Sequence, residues 1–109
     1  MVLPVTAIRW SGPAIREFEA ALDYIARDNR DAADRLARAV HHAVGRLRAF
    51  PDSGRMVPEL EDPVLREVVH APFRVIYQRQ ENLIEILAVV RAEQETDFEA
   101  IQLRVKEQN

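Results

Sequence analysis

LREVVHAPFRVIYQRQENLIEILAVV, residues 65–90, decides the fold. It holds three runs rich in β-branched and aromatic residues, 65–69, 73–79 and 83–90, separated by Ala71-Pro72 and by the polar Gln80-Glu81-Asn82. Runs of this length and composition, bounded by turn residues, read as strands. Asn82 suits the turn between the last two, because asparagine bonds its own backbone in tight turns. Connections this short make the three runs an antiparallel meander. Strand side chains alternate between faces. Phe73, Val75 and Tyr77 therefore share one face, expected to be the core, with the Tyr77 hydroxyl at its edge. Ile84, Ile86, Ala88 and Val90 fit the same face. Arg74, Ile76 and Gln78 share the other, with Glu85, Leu87, Val89 and Arg91. That second face is half apolar and should not stay open to water, so a partner is expected to cover it.

Working outward, residues 2–10 read as a first strand. Ser11 is a candidate helix cap, with Gly12 and Pro13 in the entry turn. Ile15, Phe18, Leu22 and Ile25 then recur at helical spacing, and so do Ala33, Leu36, Ala37, Val40, Val44 and Leu47. Asn29 lies between the two patterns and can close one helix and cap the next. Phe50-Pro51 stops the second helix. So tight a junction predicts an antiparallel helical hairpin. Residues 51–63, with Pro51, Gly54, Pro58 and Pro63, form a loop. Its Gly54 is read as a turn glycine with positive φ, and Arg55 as a cap for the second helix's carbonyls. Phe98, Ile101 and Val105, with Leu103 off the stripe, predict a C-terminal helix over about 93–107. The order β-α-α-β-β-β(-α) defines an α+β fold: an antiparallel sheet with a helical hairpin packed on one face.

The 109 residues suit a single domain, 1–109. No cysteine is present, which removes disulfides and thiolate chemistry. No apolar run reaches the ~18 residues of a membrane span, and no basic segment precedes the apolar 1–8. A cytoplasmic location with no membrane contact is the expectation. Net charge is −3, with eight arginines against six acids in residues 1–50 and seven basic residues against twelve acids in 51–109. Phosphate neutralisation supplies most nucleic-acid affinity, so an acidic chain is not expected to bind nucleic acid directly. Adjacent His41 and His42 point about 100° apart on a helix and cannot chelate one ion together. His70 is placed in the turn before Ala71-Pro72. No metal site and no cofactor are expected. Trp10 reads as core. The hairpin's outward arginines, Arg16, Arg27, Arg35 and Arg38, alternate with acids, as a solvated face does.

With these features in place, the chain resembles the ParE branch of the RelE/ParE toxin superfamily. The resemblance runs from about Ile8 to Asp97. It rests on Trp10-Ser11, Asp23-Tyr24-Ile25, Asn29 through Ala33, Leu47 with Phe50-Pro51, Gly54-Arg55, Pro58-Glu59-Leu60, Leu65-Arg66-Glu67, the run FRVIYQ at 73–78, and Ile86 to Val90. The resemblance implies the toxin of a type II toxin–antitoxin pair, neutralised by direct binding of a cognate antitoxin in a hetero-oligomer. ParE-like members act on DNA gyrase and so on replication. RelE-like members are ribosome-dependent messenger-RNA endoribonucleases.

Ribonucleolytic cleavage needs a base, an acid and cations for the phosphate. RelE-like toxins resemble one another in a Lys/Arg cluster with a Tyr or His near the chain's end. Here Lys106 is the only lysine, Phe98 falls where that tyrosine would, and Ala92 replaces a basic residue. No catalytic residue is therefore assigned, and a protein-binding gyrase inhibitor is expected rather than a hydrolase. Arg66, Arg74 and Arg91 are expected to converge on the open sheet face beside Ile76, Leu87 and Val89, forming the antitoxin- or target-binding surface. The alternative is a solvated face, with Glu67 or Glu85 as surface partners of these arginines.

Overall fold

A computed structural model describes residues 6–108. The first strand, β1, is Ala7–Trp10, so residues 2–5 of the expected strand lie outside the described residues. Helix α1, Gly12–Ala26, starts where the Ser11 side chain accepts the Ala14 N–H. Helix α2, Arg30–Gly45, is capped in the same way by Asn29, which accepts from Ala32. A cap of this kind satisfies one of the four N–H groups that a helix start leaves unpaired. Past Gly45 the chain tightens into a 3-10 turn, Arg46–Arg48, before Phe50-Pro51. The loop holds a two-residue strand that alternation is too short to reveal, β2, Arg55–Met56. Then come β3 Leu65–His70, β4 Phe73–Arg79 and β5 Leu83–Arg91. His70 thus ends a strand and is not in the turn. Helix α3, Phe98–Gln108, begins later than expected, because Asp97 caps it by accepting from Ala100.

The sheet order is β1-β5-β4-β3-β2. The β3–β4–β5 meander is antiparallel, as its short turns require, and β1 joins β5 in parallel. The hairpin lies on one face. Phe18, Val40, Val44 and Leu47 pack there against Phe73, Val75, Tyr77, Ile84 and Ile86. Trp10 joins this core, stacked on Phe18 at 5.6 Å between ring centroids.

The second face is covered by the chain itself. Ile101 of α3, with Phe98 and Val105, packs beside Val57 and Leu60 over Leu65, Ile76, Leu87, Ala88 and Val90. Ile76 and Leu87 are wholly buried. The expectation of an open half-apolar face needing a partner is therefore corrected: a helix carrying one apolar stripe supplies the cover. Leu103, off that stripe, is exposed.

Strict alternation fails in the middle of β5. Ile76 pairs with Ala88 while Tyr77 pairs with Ile86, so Leu87 is an extra residue in a bulge. Before it, Ile84 and Ile86 face the hairpin. After it, Val89 faces the hairpin, and Ala88 and Val90 face α3. The expected facings of Ala88, Val89 and Val90 are each reversed by this one residue.

Candidate functional site

On the α3 side of the sheet, cross-strand neighbours point the same way. The pairs Glu67–Ile76 and Val69–Arg74 fix a charged cluster at its β2 edge. Glu67 is completely buried and accepts from Arg55 Nε at 2.5 Å and Arg74 Nε at 2.7 Å. The other two nitrogens of Arg74 clasp both oxygens of Glu59, at 2.9 and 2.7 Å. Its guanidinium also lies 5.0 Å from the Phe98 ring centroid. The Arg74 hydrogen bond holds the Glu59 carboxyl below the usual carboxylate range. The same bond, with a second to Glu67, holds Arg74 protonated beyond its ordinary range. Bidentate pairing of this kind fixes geometry as well as charge. The cluster joins β3, β4, the loop and the start of α3. Glu67 and Glu85 are thus not surface acids. Glu85 is also buried, and accepts from Arg9 Nε at 2.6 Å. Arg55 binds Glu67 and does not cap α2. An acid placed between apolar strand neighbours is the signal that could have marked both glutamates as buried and partnered.

The bulge is satisfied from both layers. Val89 N–H donates to Glu17 of α1 at 3.1 Å. Leu87 C=O accepts from Arg104 of α3 at 2.9 Å and from Ser11 Oγ at 3.4 Å. Arg104 and Glu17 also pair bidentately, at 3.0 and 2.9 Å. Backbone groups that the ladder cannot pair thus find side chains, as buried polar groups require. This ion pair ties the two helical layers together past the end of β1.

Tyr77 is core, with its hydroxyl at the rim as expected. The hydroxyl donates to Pro51 C=O and accepts the Gly54 N–H, both at 3.0 Å. Burial pushes its pKa up, so it stays a neutral, fully engaged phenol. Gly54 does not adopt the positive φ expected of it. Its need is space: a Cβ there would stand 2.4 Å from Tyr77 Oη and 2.8 Å from the Glu67 carbonyl oxygen.

The six residues expected to form one binding surface are dispersed. Arg66 pairs across from Tyr77 on the hairpin side and donates to Gly54 C=O. Arg91 pairs across from Phe73, also on the hairpin side, beside the Tyr24 ring and Glu93. Arg74 lies on the α3 side in the cluster above. Ile76 and Leu87 lie beneath α3, and Val89 beneath α1. The β3–β4 register places Arg66, the bulge places Val89 and Arg91, and the covering helix buries Ile76 and Leu87. Among the described residues, no three His, Cys, Asp or Glu side chains gather as metal ligands, and no helix is long and apolar enough to cross a membrane.

Comparison with known proteins places this architecture. Residues 8–96 match the family of ParE toxins of type II toxin–antitoxin systems, parDE. A Sinorhizobium fredii protein, Y4kP, named as a candidate toxin, is 32% identical over 90 residues, covering 81% of this chain and 90% of that protein. The chain belongs to the ParE toxin family. Two solved structures share its fold. One is the chromosomal ParDE system of P. aeruginosa, with TM-score 0.68, 21% identity, and coverage of 84% of this chain and 100% of that one. The other is the RelBE2 toxin–antitoxin complex of Mycobacterium tuberculosis, with TM-score 0.54, 18% identity, and coverage of 82% and 99%.

Proposed function

We propose that this toxin acts by binding a protein target, DNA gyrase, rather than by cutting RNA, and that a cognate antitoxin neutralises it by direct binding in a hetero-oligomer. The observation that carries the reading is the state of the sheet's cations. Arg74 is clasped by Glu59 and Glu67, and Arg55 is held by Glu67. Cations neutralised in this way are poor clamps for a scissile phosphate. Phe98 has no proton to exchange, and its ring supports Arg74. Tyr77, the one tyrosine in the sheet, is buried with its hydroxyl engaged at both its donor and an acceptor position. The family match to ParE toxins points the same way, and extension to this chain of what ParE-like toxins do rests on that likeness.

The test uses purified chain, gyrase, ATP and relaxed plasmid. Loss of supercoiling that antitoxin restores is the expected result. Full supercoiling at stoichiometric excess of the chain rejects gyrase as the target. Primer extension on translated messages decides the ribonuclease alternative, since new cleavage ends would move the chain to that class.

A further inference from the structure

The arginines of the strands differ in their partners from those of the helical hairpin and the turn after it. Those on the strands have partners: Arg9, Arg55, Arg74, Arg79 and Arg91 pair with carboxylates and Arg66 with a carbonyl. Those of α2 and the turn after it do not. Arg35, Arg38 and Arg46 are exposed, with no carboxylate or hydrogen-bond partner for their side chains among the described residues. At about 100° per residue, Arg35, Arg38, His42 and Arg46 fall within an arc of about 80°, and at about 1.5 Å per residue they extend over about 16 Å. Asp31 falls in the same arc one turn before Arg35, so the outer face of α2 is acidic in its first turn and carries the unpaired arginines from Arg35 onward.

These arginines lead into a groove of about 470 Å³ lined by Ala43, Arg46, Phe50, Ser53, Arg55 and Val69. Phe50 and Val69 are 65% and 50% exposed there. Unpaired cations beside exposed apolar side chains are the composition of a protein-binding surface, where arginine and aromatic residues carry most of the energy.

We propose that the outer face of α2 and this groove form a docking surface for an acidic segment of a protein partner. The segment would carry carboxylates about 6 Å apart, every fourth residue of a helix or every second of a strand, and end in an apolar residue seated against Phe50. Nucleic acid fits less well. Asp31 and Asp34 stand at the N-terminal end of α2, and the whole chain carries −3. A continuous polyanion would meet these charges, whereas spaced carboxylates need not. The surface is independent of the gyrase reading.

The test is a titration of isotope-labelled full chain, followed by backbone amide shifts, with a glutamate-rich 12-residue peptide and separately with a dT12 oligonucleotide. The expected result is peptide-induced shifts at residues 35–46 and at Phe50 and Val69. Affinity should fall about tenfold or more in the Arg35→Glu/Arg38→Glu/Arg46→Glu variant, three exposed ion pairs at the upper end of their usual worth. It should be unchanged in Arg16→Glu/Arg27→Glu. If the triple reversal fails to fold, the Gln variants at the same positions, with a smaller loss, serve in its place. No shift at α2 with millimolar peptide, equal loss in the control variant, or tighter binding of dT12 than of peptide overturns the proposal.

Discussion

Position 54 shows how much one absent carbon can decide. Gly54 lets the loop backbone lie against the Tyr77 ring, 23 positions further along the chain, so that its N–H reaches the hydroxyl. Gly54→Ala should destabilise the chain by about 3 kcal/mol, because a carbonyl oxygen and a ring would both have to move. Urea unfolding checks it; a loss within error would mean the loop shifts freely. Tyr77→Phe should cost about 1–3 kcal/mol by leaving the Pro51 carbonyl and Gly54 N–H without that partner. The Tyr77 pKa is raised by burial. Its contribution is therefore fully present below the ordinary tyrosine value near 10 and lost as pH rises through the higher folded value. The phenylalanine variant should show less loss of stability as pH rises above about 10, and equal alkaline slopes would refute this. The Tyr77 hydroxyl's place at the core's edge was legible from strand parity. The reason for the glycine was not, because it is a long-range contact and leaves no local mark.

At the scale of elements, most of the architecture was legible because each signal is local. Ser11 and Asn29 cap as their side-chain chemistry dictates, the hairpin follows the 3.6-residue period, and the strands follow their turns. What escaped depends on tertiary pairing: the two-residue β2, the bulge at Leu87, and the docking of α3. The last of these buries Ile76 and Leu87, two residues judged exposed by parity, under a helix of the same chain. Ile101 is 3% exposed at the centre of that contact. Ile101→Asp should release α3 and uncover Ile76, Leu87 and Ala88, seen as increased binding of an apolar fluorescent dye. Trp10 emission should stay native, because Trp10 stacks in the core on the opposite face. A shifted Trp10 spectrum, or no gain in dye binding, would show that α3 is not separable in this way.

At the scale of the molecule, one sheet serves two cores, and the Glu17–Arg104 pair joins the layers outside them. Cooperative unfolding is the outcome expected of this arrangement. Trp10 fluorescence and far-ultraviolet circular dichroism should give coincident denaturation curves, and two separated midpoints would divide the chain into independent parts. The bulge has an evolutionary consequence as well. Positions 84, 86 and 89 answer to the hairpin, while 87, 88 and 90 answer to the C-terminal helix. Among relatives, substitutions in the first group should covary with residues of α1 and α2, and those in the second with residues of α3. A relative that lacks one residue at position 87 would keep every later residue of the strand in the core it now serves; it would lose the bulge, and with it the side chain that Leu87 adds to the second core.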